Sequence, residues 1–404
     1  IGVATASLFM IEASMHIPPG YALFIPSAFR KAVDLPVVGV GRFKDPLQAE
    51  RAIAEGHCDL VGVVRGQIAD PDFAAKSRAG ETDDIRLCLS CNQECVGRMG
   101  LNRWLGCIEN PRTGREAQGV GTVRLGVKPK QVMIVGAGPA GLQAAIAAAR
   151  NGHHVTVFEK EADAGGQVRI AASVPNRAEF GDMIRNQLNE CDRLGVKFEY
   201  GVGVWPGLVE ERRPDHVVVA TGAEPQRPWW VPGDADARNG GNVCDVREVL
   251  DGSLGERGPA SGQHVVVVDE IGFHHATSVA EVLADRGCHV EIVTNGMVVG
   301  QDLGITLDME NWWMRAHAKG IVQSTDLVPM GMADGELTLL HHPTGTNRTR
   351  RPDWVVLAVP PSPVEWLYRD LKAAGVSVQR VGDCVAPRRA HAAVIDGERV
   401  GAAL

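Results

Sequence analysis

The sequence predicts an α/β protein built from parallel strand–helix–strand units, and three stretches predict it. An apolar strand, a glycine-bearing turn, an amphipathic helix and a second apolar strand follow one another from Leu35 to Val64. The same order recurs from Gln131 to Glu159 and from His264 to Thr294. Units of this kind lay helices against a parallel sheet. The 404 residues are 45% hydrophobic and 22% charged, which suits two or three domains with sizeable cores.

In the first unit, Leu35 to Val40 is the opening strand, Gly41-Arg42 the turn, Asp45 to Glu55 the helix and Leu60 to Val64 the closing strand. A short helix begun by Asp70-Pro71 runs to Lys76. The stretch Ile85 to Pro111 carries cysteines and has no clean period. Gln131 to Val135 then reads as a buried strand, followed by a glycine-rich turn, a helix to Asn151 and a strand at His154 to Glu159. The polar, glycine-rich Asp251 to Gln263 leads into the third unit. A strand at Asp353 to Ala358, then Arg380 to Asp383 and a final helix, predict that the third unit is inserted into the second.

A formal net charge of -8 with no basic stripe argues against nucleic acid, whose phosphates need clustered Lys and Arg. No apolar run approaches the roughly 20 residues that cross a bilayer. Ile1 to Ile11 is apolar but has neither a basic region before it nor a cleavage site after it, so it does not read as a signal peptide. The first residue is Ile, and the chain reads as a fragment or a processed protein. Nine cysteines, four of them between Cys88 and Cys107, look like ligands in a reducing, cytoplasmic compartment.

Those four follow the spacing Cys88-x2-Cys91-x3-Cys95-x11-Cys107, with Pro111 soon after. Three thiolates on one tight loop and a fourth from the next turn can surround a 4Fe-4S cubane, whose irons each need a soft anionic ligand. A structural zinc is the alternative, although zinc more often takes two separate C-x2-C knuckles.

Val132 to Val135 leads into Gly136-Ala137-Gly138-Pro139-Ala140-Gly141, and Glu159 ends the next strand. Gly136 permits the tight turn, Gly138 lets backbone amides approach a pyrophosphate, and Gly141 lets helix pack on strand. Glu159 is placed to accept from ribose hydroxyls. Gly166-Gln167, the strand end Val217 to Gly222 with Thr221-Gly222, and Asp383 before a helix fit FAD better than NAD.

Where the second dinucleotide unit should carry such a turn, the chain reads Asp269-Glu270-Ile271-Gly272-Phe273-His274-His275, and only Gly272 remains. Two carboxylates oppose a pyrophosphate there, so NAD(P)H binding is doubtful on charge grounds. His274 and His275 read as packing or surface residues.

This ordered set of motifs resembles the 2,4-dienoyl-CoA reductase and trimethylamine dehydrogenase branch of the old yellow enzyme superfamily. Leu35 to Arg42 looks like the seventh strand of a TIM barrel and Asp59 to Arg65 like the eighth, which by resemblance assigns Gly41, Arg42 and Arg65 to FMN phosphate. Ile68 to Pro71 and Cys88 to Gln93 resemble that family's approach to its cluster. The implied fold is the C-terminal end of a TIM barrel (1–84), an iron–sulfur segment (85–125) and two Rossmann-like three-layer domains. The first holds FAD or ADP (126–250, completed by 350–404), and the second is an inserted, degenerate NAD(P)-type domain (251–349). Family members use a Tyr, and often a His or Asp, at a position where this chain has Ala4 to Ser7, so the resemblance names no catalytic acid. Glu12 and His16 lie nearby without a partner argument. Ile11 to His16 and Val381 to Gly401 also look like proteins found with the mycofactocin redox system.

The resemblance implies a flavin-dependent oxidoreductase passing electrons between FMN, the cluster and FAD, with an enoyl, enone or amine as small-molecule substrate. An amine dehydrogenase delivering electrons to an electron-transfer protein or redox carrier is the alternative, and a non-catalytic electron-transfer subunit is a second. A homo-oligomer without membrane association is the expected form.

Overall fold

In the computed structural model, which describes residues 8–123 and 128–404, Val38–Gly39 lies parallel to Leu60–Val61, with Val38 opposite Leu60. The helix Pro46–Ala54 connects them. Its first turn is closed by the Asp45 carboxylate, which accepts from Leu47 N at 2.8 Å, and by Pro46, whose missing N–H would be unsatisfied there anyway.

The central sheet of the first unit is wholly parallel, in the order Val378–Arg380, His216–Val219, Gln131–Val135, His154–Glu159, Lys197–Tyr200. Its middle strand is a continuous apolar run because both faces are covered, and Ile134 is fully buried. The helix Pro139–Arg150 covers one face and is itself enclosed, with Ala140 to Ala148 all buried. Small residues permit this. A Cβ at Gly397 would lie 2.3 Å from Ala140 O, and one at Gly401 2.3 Å from Ala144 O, so the C-terminal helix Ala390–Ala403 sits almost backbone to backbone on it.

A second parallel sheet runs Val322–Ser324, His289–Thr294, His264–Asp269, Trp354–Ala358, Val243–Asp245. An antiparallel three-stranded sheet, Leu327–Ala333, Glu336–His341 and Thr346–Arg350, belongs to the same unit. By contact density one unit comprises the chain up to Arg169 with Glu179–Ala223 and Pro363–Leu404, and the other comprises Ile170–Ala178 and Glu224–Ser362. The sequence boundaries 251–349 are therefore too narrow for this second body. Trp354–Ala358, expected as a strand returning to the first fold, pairs with His264–Asp269 instead, Leu357 opposite Val268. An apolar run that can be buried on both faces fits either sheet, and periodicity does not say which. Among the described residues no helix is long and apolar enough to cross a membrane.

The helix-on-helix contact gives a direct test. Gly397→Val should cost about 2 kcal/mol or more in a denaturant melt, because the added atoms meet the backbone of Ala140 and Ala144 and the Gln143 Cβ, none of them a flexible chain end. Gly203→Ala, whose Cβ meets nothing within 4 Å, should stay within about 0.5 kcal/mol of the parent.

Candidate functional site

The loop from Cys88 to Cys107 turns sharply at Ser90, φ 53°, and Asn92, φ 56°, left-handed positions that asparagine tolerates better than most residues. These turns bring Cys88, Cys91, Cys95 and Cys107 around one small cavity with Ile68, Leu89 and Ile108 on its wall. All four are free thiols. Burial raises Cys91, Cys95 and Cys107 above the ordinary thiol range, Cys95 to about 11, and each is raised further by neighbouring thiols of the set. Together they cannot become thiolates unless a cation compensates them. The donor set therefore fits a tetrathiolate metal centre.

Side chains of the nucleotide unit hold this loop in place. Asn186, on the helix Asp182–Arg193, accepts from Leu87 N at 3.3 Å and donates to Leu87 O at 3.1 Å and to Glu109 Oε2 at 2.9 Å. Arg86 donates to Glu109 O at 2.6 Å and pairs with Glu190, which also takes Arg150. Burial raises Glu109 to about 7, against the pull of Arg86 and Asn186. From the barrel-like side, Arg65 donates to Asn92 Oδ1 and, at 2.7 Å, to Ala13 O.

Of the residues assigned to FMN phosphate, Gly41 packs on Gly20, whose N donates to Gly41 O at 2.7 Å. Arg42 forms two 2.8 Å bonds to Glu179 and its side chain is 1% exposed. Its buried Nε has no hydrogen-bond partner among the described residues, a donor that fits a phosphate oxygen. Lys44 adds to the same knot, at 2.9 Å from Glu179 and 2.7 Å from Asp182. Arg42 and Arg65 both act on Tyr21, whose hydroxyl is raised by burial and lowered by the two guanidiniums. Tyr21, Glu179 and Asp182 carried no signal in the sequence: Tyr21 sits in no motif, and the partners of the two carboxylates lie 137 and 138 residues away. Ala4 to Ser7 lie outside the described residues.

The first glycine turn divides its labour clearly. A Cβ at Gly136, φ 105°, would lie 2.4 Å from Ala220 O, and one at Gly141 1.9 Å from Gly136 O, so both are demanded by packing. A Cβ at Gly138 would meet nothing within 4 Å. Open space lies exactly where a pyrophosphate would approach the N-terminus of Pro139–Arg150, which has no side-chain cap. Glu159, nearly buried, accepts from Ala137 N at 2.8 Å and Glu161 N at 3.0 Å and so braces the turn itself. Gly165 N donates to Ala137 O, and a Cβ at Gly166 would lie 3.5 Å from Gly138 Cα. Gln167 reaches Asp383 at 3.0 Å, Thr221 Oγ1 donates to Val364 O at 2.5 Å, and Gly222 takes φ 72°. Residues scattered from 136 to 383 thus share one neighbourhood.

The second glycine-poor turn is built differently. Asp269, fully buried, accepts through Oδ1 from Ile271 N at 3.1 Å and Gly272 N at 2.8 Å, and Gly300 N also supports it. Backbone amides that would cradle a phosphate hold this side chain instead. Burial raises Asp269 and Glu270, the latter also through Asp269. His274 is buried, 3.3 Å from Asp308, and His275 is exposed.

The NADH:flavin oxidoreductase / NADH oxidase family matches residues 15–84, and the pyridine nucleotide-disulphide oxidoreductase family matches residues 130–322. An N,N-dimethylglycine/sarcosine dehydrogenase of Chromohalobacter salexigens is 32% identical over 98% of this chain and 61% of its own length. An NADH oxidase of Thermoanaerobacter brockii is 33% identical over 95% of this chain and 57% of its own. The structure of a 6-hydroxypseudooxynicotine amine oxidase from Pseudomonas geniculata superposes with a TM-score of 0.89 at 27% identity, covering 96% of this chain and 60% of that one. The chain belongs to the old yellow enzyme and trimethylamine dehydrogenase superfamily. Flavin is the cofactor class of that superfamily, and the chain spans about 60% of the length of the relatives it matches.

The contrast between glycines separates binding from folding. Gly138→Val should fold with a melting temperature near the parent's yet lose adenine-nucleotide binding at least about tenfold by calorimetry with ADP. Gly141→Val should fail to fold at all.

Proposed function

We propose that this chain is part of an iron–sulfur flavoprotein oxidoreductase acting on a small amine or an activated alkene. The observation that carries the reading is the convergence of four thiols on one small cavity, with burial and mutual repulsion raising Cys91, Cys95 and Cys107, in the stretch of sequence between the two flavin-type motifs.

 Cys107 joins that set through the same mutual repulsion, with Cys88 next after burial among the causes that raise it. Cys88, Cys91, Cys95 and Cys107 would hold a 4Fe-4S cluster. Gly41, Arg42 and Arg65 would hold the FMN phosphate, Arg42 through its buried Nε. In the turn Gly136, Ala137, Gly138 to Gly141, Gly138 would face the pyrophosphate of FAD or ADP while Gly136 and Gly141 hold the turn's shape, Glu159 would take its ribose, and Gly166, Gln167, Thr221, Gly222 and Asp383 the remainder of that ligand. When bound, flavin supplies hydride exchange with the substrate and the cluster supplies single-electron exchange.

The chain's own residues bind and orient. Arg86, Asn186 and Glu190 fix the thiol loop, and the Gly138 turn leaves room for a ligand that Gly136 and Gly141 do not. A second reading, amine dehydrogenation with electrons leaving to a redox carrier, is favoured by Asp269. A carboxylate already seated on the amides of the second turn competes with any dinucleotide phosphate. The dehydrogenase names of two relatives support the same direction. A homo-oligomer working in the reducing cytoplasm completes the proposal, supported by nine cysteines that are all free thiols.

Two measurements on the full-length protein, prepared without oxygen, decide it. Iron and acid-labile sulfide should be present in equal amounts and both should disappear in Cys107→Ser. Zinc in their place would overturn the redox reading. In a spectral titration, a secondary or tertiary amine should bleach the flavin while NADH and NADPH leave it oxidised. Bleaching by NADH or NADPH, and not by the amine, would reverse the direction of flow.

A further inference from the structure

Arg86 stands two residues before the first of the four cysteines and is pinned from both ends. Its N donates to Asp70 Oδ2 at 2.8 Å, and that carboxylate is held by Lys76 at 2.7 Å. Its guanidinium donates through Nη1 to Glu109 O at 2.6 Å and through Nη2 to Glu190. Glu109 belongs to the wall of the thiol cavity and follows Cys107 by two residues, so Arg86 is tied to both flanks of the cysteine loop. With side chains 12% and 14% exposed, Arg86 and Glu190 form a pair that water and salt screen little.

The pair continues away from the thiols. Glu190 lies on the helix Asp182–Arg193, and its second oxygen takes Arg150, the last residue of Pro139–Arg150. Arg150 Nη1 is 3.8 Å from Glu398 Oε2, which accepts from Gln143 Nε2 at 2.7 Å. Charge therefore alternates along Arg86, Glu190, Arg150 and Glu398, and the positive end is the one beside the thiols. Burial lowers Arg86, yet Glu190, Glu109, Cys107 and Asp70 together hold it above its ordinary range, so it keeps its proton. Burial raises Glu190, and Arg86, Arg150 and Arg193 hold it below its ordinary range, so it keeps its charge as well. Two other charges share the neighbourhood. Arg65 acts on Cys95 but is assigned above to phosphate, and Glu94 on the cavity wall is bonded to Arg98 at 3.1 Å.

We propose that Arg86 raises the reduction potential of the iron centre held by the four thiols, and that Glu190 sets how much of its charge the centre feels. The proposal rests on the iron–sulfur reading given above. A centre that gains one electron becomes more negative by one charge, and a fixed cation beside it favours that state. No proton moves and no bond forms or breaks at Arg86. The electron comes from reduced flavin, which is oxidised in turn, so a raised potential favours flow from substrate through flavin to the thiol site. Glu190 is a positioning residue in this scheme. It holds the guanidinium that also bonds Glu109 O and, through its own charge, offsets part of the field.

The test is a potentiometric titration of the full-length, iron-loaded protein with dithionite and mediator dyes at one fixed pH, read by electron paramagnetic resonance. Arg86→Gln should lower the midpoint, cutting the reduced-to-oxidised ratio at the parent's midpoint about tenfold, which is about 59 mV for one electron. Arg86→Lys, which keeps the charge, should change that ratio less than about threefold. Glu190→Gln keeps an oxygen acceptor and removes the negative charge, so it should move the midpoint the other way, by about threefold in the ratio. Both shifts should persist between about 20 mM and about 300 mM salt, because the pair is buried. An Arg86→Gln midpoint within about twofold of the parent's ratio, or a Glu190→Gln shift of the same sign as that of Arg86→Gln, would overturn the proposal. So would loss of iron from Arg86→Lys and Glu190→Gln alike, since the network would then serve only to hold the loop. Where Arg86→Gln alone sheds its iron, the sign of the Glu190→Gln shift decides. A parent protein without iron would instead overturn the functional reading, and this proposal with it.

Discussion

Four thiols that share one apolar-walled cavity set the central constraint of this structure. Cys91, Cys95 and Cys107 are costly to ionise because burial and the neighbouring thiols act in the same direction. A loop carrying such a set has little of its own to hold it together, since it contains no long helix or strand. Its geometry is imposed from outside, by Asn186 and Arg86 on one side and Arg65 on the other. Asn186 spends both ends of its amide on the loop, bonding Leu87 and Glu109 at once, so its replacement would free two segments together.

The two nucleotide-type units share a frame and differ in the chemistry of one turn. In both, a central buried strand runs into a turn and then a helix of 12 residues. In the first, glycines at 136 and 141 serve packing, and Gly138 alone is left facing open space. In the second, Asp269 folds its own carboxylate onto the amides of Ile271 and Gly272. That carboxylate satisfies backbone donors which would otherwise need an anion, so the turn is stable without a ligand.

Legibility from sequence followed the range of the interactions involved. The cysteines and the first glycine turn were readable because their partners lie within a short span, where spacing fixes geometry. At Asp269 the sequence shows a charge that opposes phosphate, and the structure adds the bonds that carboxylate accepts from Ile271 N and Gly272 N. Repulsion was visible in the sequence, whereas the hydrogen bonds that seat the carboxylate depend on the fold of the turn. The edges of the second sheet were misplaced because Trp354–Ala358 is apolar on both faces and suits either sheet equally. Glu179, which takes both terminal nitrogens of Arg42, lies 137 residues away and left no local trace.

Arg42 shows how an ion pair can leave one oriented donor over. Two of its nitrogens are committed to Glu179, whose carboxyl is held below its usual range by Arg42 and Lys44 despite burial. The guanidinium is therefore oriented before any ligand arrives, and its Nε remains as the available donor. A preoriented donor loses little freedom on binding, so under the proposed assignment the ion pair would add to phosphate affinity without touching the ligand. Glu159 follows the same logic from the acidic side, since its bonds to Ala137 and Glu161 fix the turn that a pyrophosphate would meet. In both places a charged side chain first fixes the backbone or a partner, and the binding surface is what remains.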